Sequence, residues 1–65
     1  MFLVVITKNG PELINCSNIA SAASSVDDEN NTTITFISNA SSQATVTAFI
    51  PFYKFVQCIG ADRAV

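Results

Sequence analysis

Residues 30–48 read NNTTITFISNASSQATVTA, and the fold turns on how this stretch is read. Two runs within it, 32–38 and 43–48, alternate with a period of two. In the first, Ile34 and Phe36 point one way while Thr33, Thr35 and Ile37 point the other. In the second, Ala44, Val46 and Ala48 share a face opposite Thr45 and Thr47. Successive side chains of an extended chain project to opposite sides, so this alternation of β-branched and aromatic residues marks strands with one face buried. Between the runs, Asn39-Ala40-Ser41-Ser42 is short, polar and turn-forming, and the pair predicts a β-hairpin.

Upstream, the chain opens with Met1-Phe2-Leu3-Val4-Val5-Ile6-Thr7. This apolar run is too short for a membrane span and lacks the positive start and cleavage site of a signal peptide. It reads as a strand over 2–7, with Phe2, Val4 and Ile6 on one face and Leu3 and Val5 on the other. Apolar residues on both faces predict a central strand, or one covered by a neighbouring subunit. Asn9-Gly10 is a strong hairpin signal, and Pro11 cannot donate to a ladder, so the return strand is expected over 12–15. Cys16-Ser17-Asn18 reads as a turn. Residues 19–26 are ambiguous, with helix-favouring alanines but no amphipathic stripe, and a strand is preferred. Asp27-Asp28-Glu29-Asn30-Asn31 is the one charge run; it lacks the spacing and glycine of an EF-hand loop and reads as a solvated tip.

Downstream, Pro51 suits a first helical position and Gly60 the residue past a helix end. Phe52, Phe55, Val56 and Ile59 fall at i, i+3, i+4 and i+7, so a short amphipathic helix over 51–59 is expected to cap the sheet. Residues 61–65 read as a loose tail. The whole, residues 1–65, reads as one α+β, β-rich domain: a small antiparallel sheet of about five short strands with one C-terminal helix packed on it.

Composition narrows the function. Charged residues make up 12% of the chain and hydrophobic ones 49%, and mean hydropathy is +0.41. An average soluble domain is about a quarter charged. A core of this size supplies only about 3–5 kcal/mol, so part of the apolar surface is expected to be buried between copies of the chain. Ser, Thr and Asn occupy 19 of 65 positions. These side chains suit sheet faces and turns, and equally a surface that recognises something polar and weakly charged. Net charge is −2, with Lys8, Lys54 and Arg63 the only cations. Three cations make the basic patch on which nucleic-acid binding depends only if an oligomer gathers them together, so no nucleic-acid partner is expected. No membrane partner is expected either.

Catalysis is argued against by residue type. The chain has no His, which removes the commonest general base and nitrogen metal ligand. Gly10 and Gly60 are the only glycines, so there is no glycine-rich phosphate loop. Cys16 and Cys58 are too far apart in sequence for a CxxC pair; they read as small hydrophobes in a reducing, cytoplasmic setting, with a disulfide between them left open. No metal, cofactor or catalytic residue is expected.

The order of elements resembles the small FlbD-type proteins of flagellar gene clusters. Asn9-Gly10, Ile14-Asn15, Ile19, Thr33-Ile34-Thr35 and the helix from Phe52 to Ile59 carry the likeness. It implies a β-β-β-β-β-α order and a role in bacterial motility. The chain departs from that family in its low charge, in Asn39-Ala40-Ser41-Ser42 where an Asn-Gly turn is usual, and in a helix start without acidic residues.

The residues thus predict a non-catalytic, homo-oligomeric binding module. It would capture a polar small molecule, nucleotide-like molecules included, or a partner protein at a subunit interface, as an accessory inhibitor of phage or bacterial origin does. The alternative is an FlbD-type part of a motility apparatus. Candidate ligand-binding residues are Lys54 and Arg63, the scarce cations on or after the helix, Tyr53 with its polar-tipped ring, and Thr33 and Thr35 on the polar face of the hairpin. They are expected to meet at a seam between subunits.

Overall fold

The computed structural model describes residues 1–37 and 43–61. Its elements run β1 (Phe2–Thr7), β2 (Gly10–Asn15), a 3-10 turn (Cys16–Asn18), β3 (Ile19–Ser24), β4 (Thr32–Ile37), β5 (Gln43–Ala48) and α1 (Phe52–Ile59). The fold is α+β and β-rich. The strands form two antiparallel sheets, β1-β2 and β3-β4-β5.

The 30–48 stretch behaves as its period requires. β4 and β5 pair antiparallel in the register Ile34↔Val46, Thr33↔Thr47 and Thr35↔Thr45. Ile34 and Ala48 are fully buried on the inner face, and Thr32 joins them there. The expected turn at Asn39–Ser42 lies outside the described residues.

β2 begins at Gly10, two residues earlier than the proline implied. Gly10 pairs with Thr7, and Pro11 stands opposite Ile6. β2 pairs with β1 alone, so on its other side the missing N–H interrupts no ladder. Of the two expectations for the first strand the central position is corrected, since β1 is hydrogen-bonded as a strand only to β2.

The ambiguity of residues 19–26 has a structural cause. β3 carries an irregularity between Ile19, opposite Phe36, and Ser21, opposite Thr35. One extra residue on the bulged strand shifts the side-chain period. Ile19 and Ala22, three apart, therefore both lean on the core. β3 ends at Ser24, not 26. Beyond it Ser25 N–H donates to the Asn31 carbonyl at 3.0 Å, and Asn30 N–H to Asp28 Oδ1 at 2.9 Å, which closes the exposed acidic connection.

The helix begins one residue after the expected start. Pro51 is its N-cap, with ψ 146°, and its carbonyl accepts from Lys54 N–H at 3.1 Å and Phe55 N–H at 3.0 Å. Gly60 ends it in the left-handed conformation, φ 67°, where a residue without a Cβ is favoured. Of the predicted helix face, Phe55 is fully buried, Val56 and Ile59 are half-buried, and Phe52 keeps 37% of its surface open.

Phe55 meets Val5 and Ile14 from the first sheet and Ile34 and Ala48 from the second in one core, with Leu3, Phe36, Ile50 and Ile59 around it. Two hydrogen bonds fasten the parts. Phe49 N–H donates to the Ile6 carbonyl at 2.8 Å, joining the end of β5 to β1. The buried Thr32 hydroxyl donates to the Ile50 carbonyl at 2.7 Å, which fixes the segment leading into the helix.

Two stability outcomes follow. Phe55→Ala should destabilise by about 3–5 kcal/mol, enough to unfold a chain this small, whereas Thr45→Ala on the exposed face should cost under about 0.5 kcal/mol in urea melts. Thr32→Val keeps the volume but leaves the Ile50 carbonyl without its donor, so a loss of about 1–3 kcal/mol is expected in the same melts.

Candidate functional site

A cleft of about 330 Å³ lies where the tip of the β1–β2 hairpin faces β5. Thr7, Lys8, Asn9 and Glu12 line it from the hairpin, and Thr45, Val46, Thr47 and Phe49 from β5 and its end. Local structure holds the hairpin side in shape. Gly10 takes φ 95°, a conformation that favours glycine, and lets the chain reverse within two residues. The buried Thr7 hydroxyl donates to the Gly10 carbonyl and accepts from Asn9 N–H, each at 3.1 Å. The hydroxyl therefore serves the turn, and its contribution to the cleft is rigidity.

The other side follows from strand period. Thr45 and Thr47 project from the exposed face of β5, and Phe49 leaves the strand half-exposed beside them. The cleft thus offers hydroxyls, one cation in Lys8, one carboxylate in Glu12 and the aromatic ring of Phe49. Hydrogen-bonding groups, a compensating charge and a stacking surface together suit a small polar molecule with a planar part. Its volume is near the lower end of known ligand sites, about 300–1,000 Å³.

The five residues singled out from sequence are distributed differently. Thr33 and Thr35 stand half-buried on the outer face of the three-stranded sheet, Thr33 between Ala23 and Thr47 and Thr35 between Ser21 and Thr45. Tyr53 and Lys54 are exposed on α1, which packs against the inner face through Phe55. Tyr53 borders a separate groove of about 390 Å³ with Phe52, Val56 and Gln57. One chain therefore keeps the two threonines and the two helix residues on opposite sides of the sheet. Arg63 lies outside the described residues.

Sequence reasoning missed Lys8, Glu12, Thr45, Thr47 and Phe49. One signal for two of them was present: Thr45-x-Thr47 repeats the spacing of Thr33-x-Thr35 on the partner strand. The meeting of the hairpin tip with β5 had no local signal.

Cys16 is half-buried and Cys58 exposed, both as free thiols. Among the described residues no group of three or more His, Cys, Asp or Glu side chains could hold a metal ion, and no helix is long and apolar enough to cross a membrane. Comparison with known proteins finds no matching family, no matching curated protein and no matching solved structure.

Gly10→Ala places a Cβ in open space but at a positive φ, so strain alone acts. A loss of about 1–2 kcal/mol is expected in thermal melts, with hairpin-tip amides shifted in NMR spectra.

Proposed function

We propose that this chain is a non-catalytic, homo-oligomeric binding module of the cytoplasm that captures a polar small molecule, nucleotide-like molecules included. The observation that carries the reading is the cleft between the hairpin tip and β5, where Lys8, Glu12, Thr45 and Thr47 converge beside the Phe49 ring. A stacked planar ring on Phe49, an anionic group on Lys8 and hydroxyl contacts from the threonines would use every group there. Nothing in the residue types supports turnover, since the chain has no His to move a proton near neutral pH. A protein that holds a ligand without changing it acts by sequestration, as an accessory inhibitor of phage or bacterial origin would.

Adenosine monophosphate is a suitable probe, because it carries both the planar ring and the anion. Calorimetry should register binding to the unaltered protein. Lys8→Met combined with Thr47→Val should weaken it at least tenfold, about 1.4 kcal/mol, at an unchanged melting temperature. Lys54→Met, outside the cleft, should bind as before. A loss confined to Lys54→Met would move the site to the subunit seam, and no binding by the unaltered protein would remove the nucleotide-like reading.

One observation favours a second reading, an FlbD-type part of a bacterial motility apparatus: the order of five strands followed by a helix. Flagellar genes beside the coding sequence would favour it, and phage genes would favour the binding module.

A further inference from the structure

The outer face of the β1–β2 hairpin is apolar and uncovered. Alternation sends Leu3, Val5 and Ile14 into the core and leaves Phe2, Val4 and Ile6 outside, with Leu13 opposite Val4 and Pro11 opposite Ile6. Phe2 is 64% exposed, Val4 60%, Ile6 52% and Leu13 67%. These four side chains alone present on the order of 500 Å² of apolar surface, near the top of what a monomer leaves open in one patch.

We infer that this face is covered by the same face of a second copy of the chain, forming a two-fold dimer in which two hairpins stack. The inference rests on the oligomeric part of the reading above and names the surface through which copies associate.

Area is the first argument. With the exposed Pro11 the patch is on the order of 600 Å², the lower end of what each partner brings to a stable interface. Charge is the second. A two-fold contact sets each surface group against the same patch on the other copy, so like charges would oppose one another. Phe2, Val4, Ile6, Pro11 and Leu13 carry none. The same neutrality disfavours a lipid surface, where apolar anchors act together with several cations; Lys8 is the hairpin's only cation, and Glu12 stands near it in the same cleft.

Stability is the third. A two-stranded hairpin is marginal in water unless its faces are packed. Only the inner face of this one rests on the core. Stacking two outer faces about 10 Å apart would cover the other and give each hairpin a second apolar layer. The cleft, at the hairpin tip and β5, lies away from the middle of the stack around Val4 and Leu13.

Sedimentation of the full chain at micromolar concentration should give twice the 6.9 kDa of one chain. Val4→Lys with Leu13→Lys should weaken association at least about a hundredfold, and Thr33→Lys on the other sheet should leave it intact, with circular dichroism unchanged in each. In case the double variant does not fold, isotope-filtered NOEs on a mixture of labelled and unlabelled wild-type protein give an independent reading. Intermolecular contacts among Phe2, Val4, Ile6 and Leu13 are expected. A monomer that persists to millimolar concentration, or intermolecular contacts confined to the β3–β5 sheet or to Tyr53, would overturn the inference. So would binding of neutral lipid vesicles by an otherwise monomeric protein. Adenosine monophosphate binding is measured separately, so failure of the ligand reading leaves the sedimentation result standing.

Discussion

Burial of the Phe55 ring is the contact on which the molecule closes. The two-stranded hairpin is marginal by itself and needs its inner face covered, and the three-stranded meander has an apolar inner face to bury. Phe55 touches the same core as Val5 and Ile14 from the first and Ile34 and Ala48 from the second. Few other side chains in so short a chain are fully withdrawn from water. The large-to-small balance around it matters for the same reason. Ala48 and, from β3, Ala22 belong to the same core, and bulkier groups there would hold the helix away from the sheet.

Around this contact, uncharged hydrogen-bonding groups do what ion pairs do elsewhere. Asn15 accepts from Ser17 N–H at the start of the 3-10 turn, Thr7 closes the first hairpin, and the Ser25 hydroxyl accepts from Asp27 N–H where the acidic connection begins. Thr32 ties β4 to the segment before the helix while wholly buried. Each of these side chains satisfies a backbone group a short distance away, which a long charged side chain does with a larger loss of rotamer freedom. Most of the eight charged positions lie at the hairpin tip, in the acidic connection or near the helix and the C-terminus. The outer sheet faces are then left in two contrasting states, apolar on β1–β2 and hydroxyl-bearing on β3–β5.

That contrast separates the two proposed activities in space. An apolar face without charge suits a partner identical to itself, and a cleft with one cation, one carboxylate, hydroxyls and a ring suits a small polar molecule. The residues of β1 take part in both by parity alone. Val4 and Ile6 point outward, while Thr7 turns in to stiffen the hairpin tip that bounds the cleft.

The elements themselves were legible in the residues, because period, turn chemistry and helix stops are local properties. The alternation of 32–37 and 43–48, the tight turn before Gly10 and the glycine stop at Gly60 each act within a few residues and survive any tertiary context. The boundaries of β2 and β3 were not legible in the same way. A proline is acceptable in a strand only when that strand turns out to be an edge, and a bulge hides the period that would have announced β3. The candidate site was legible only in its kind, hydroxyls with a scarce cation. Which threonines and which lysine come together depends on Phe49 bonding to Ile6 and on Phe55 drawing two sheets onto one core. Phe49 and Ile6 lie more than forty residues apart in sequence, as do Phe55 and the Val5 and Ile14 of the first sheet, and only the packed chain brings them together.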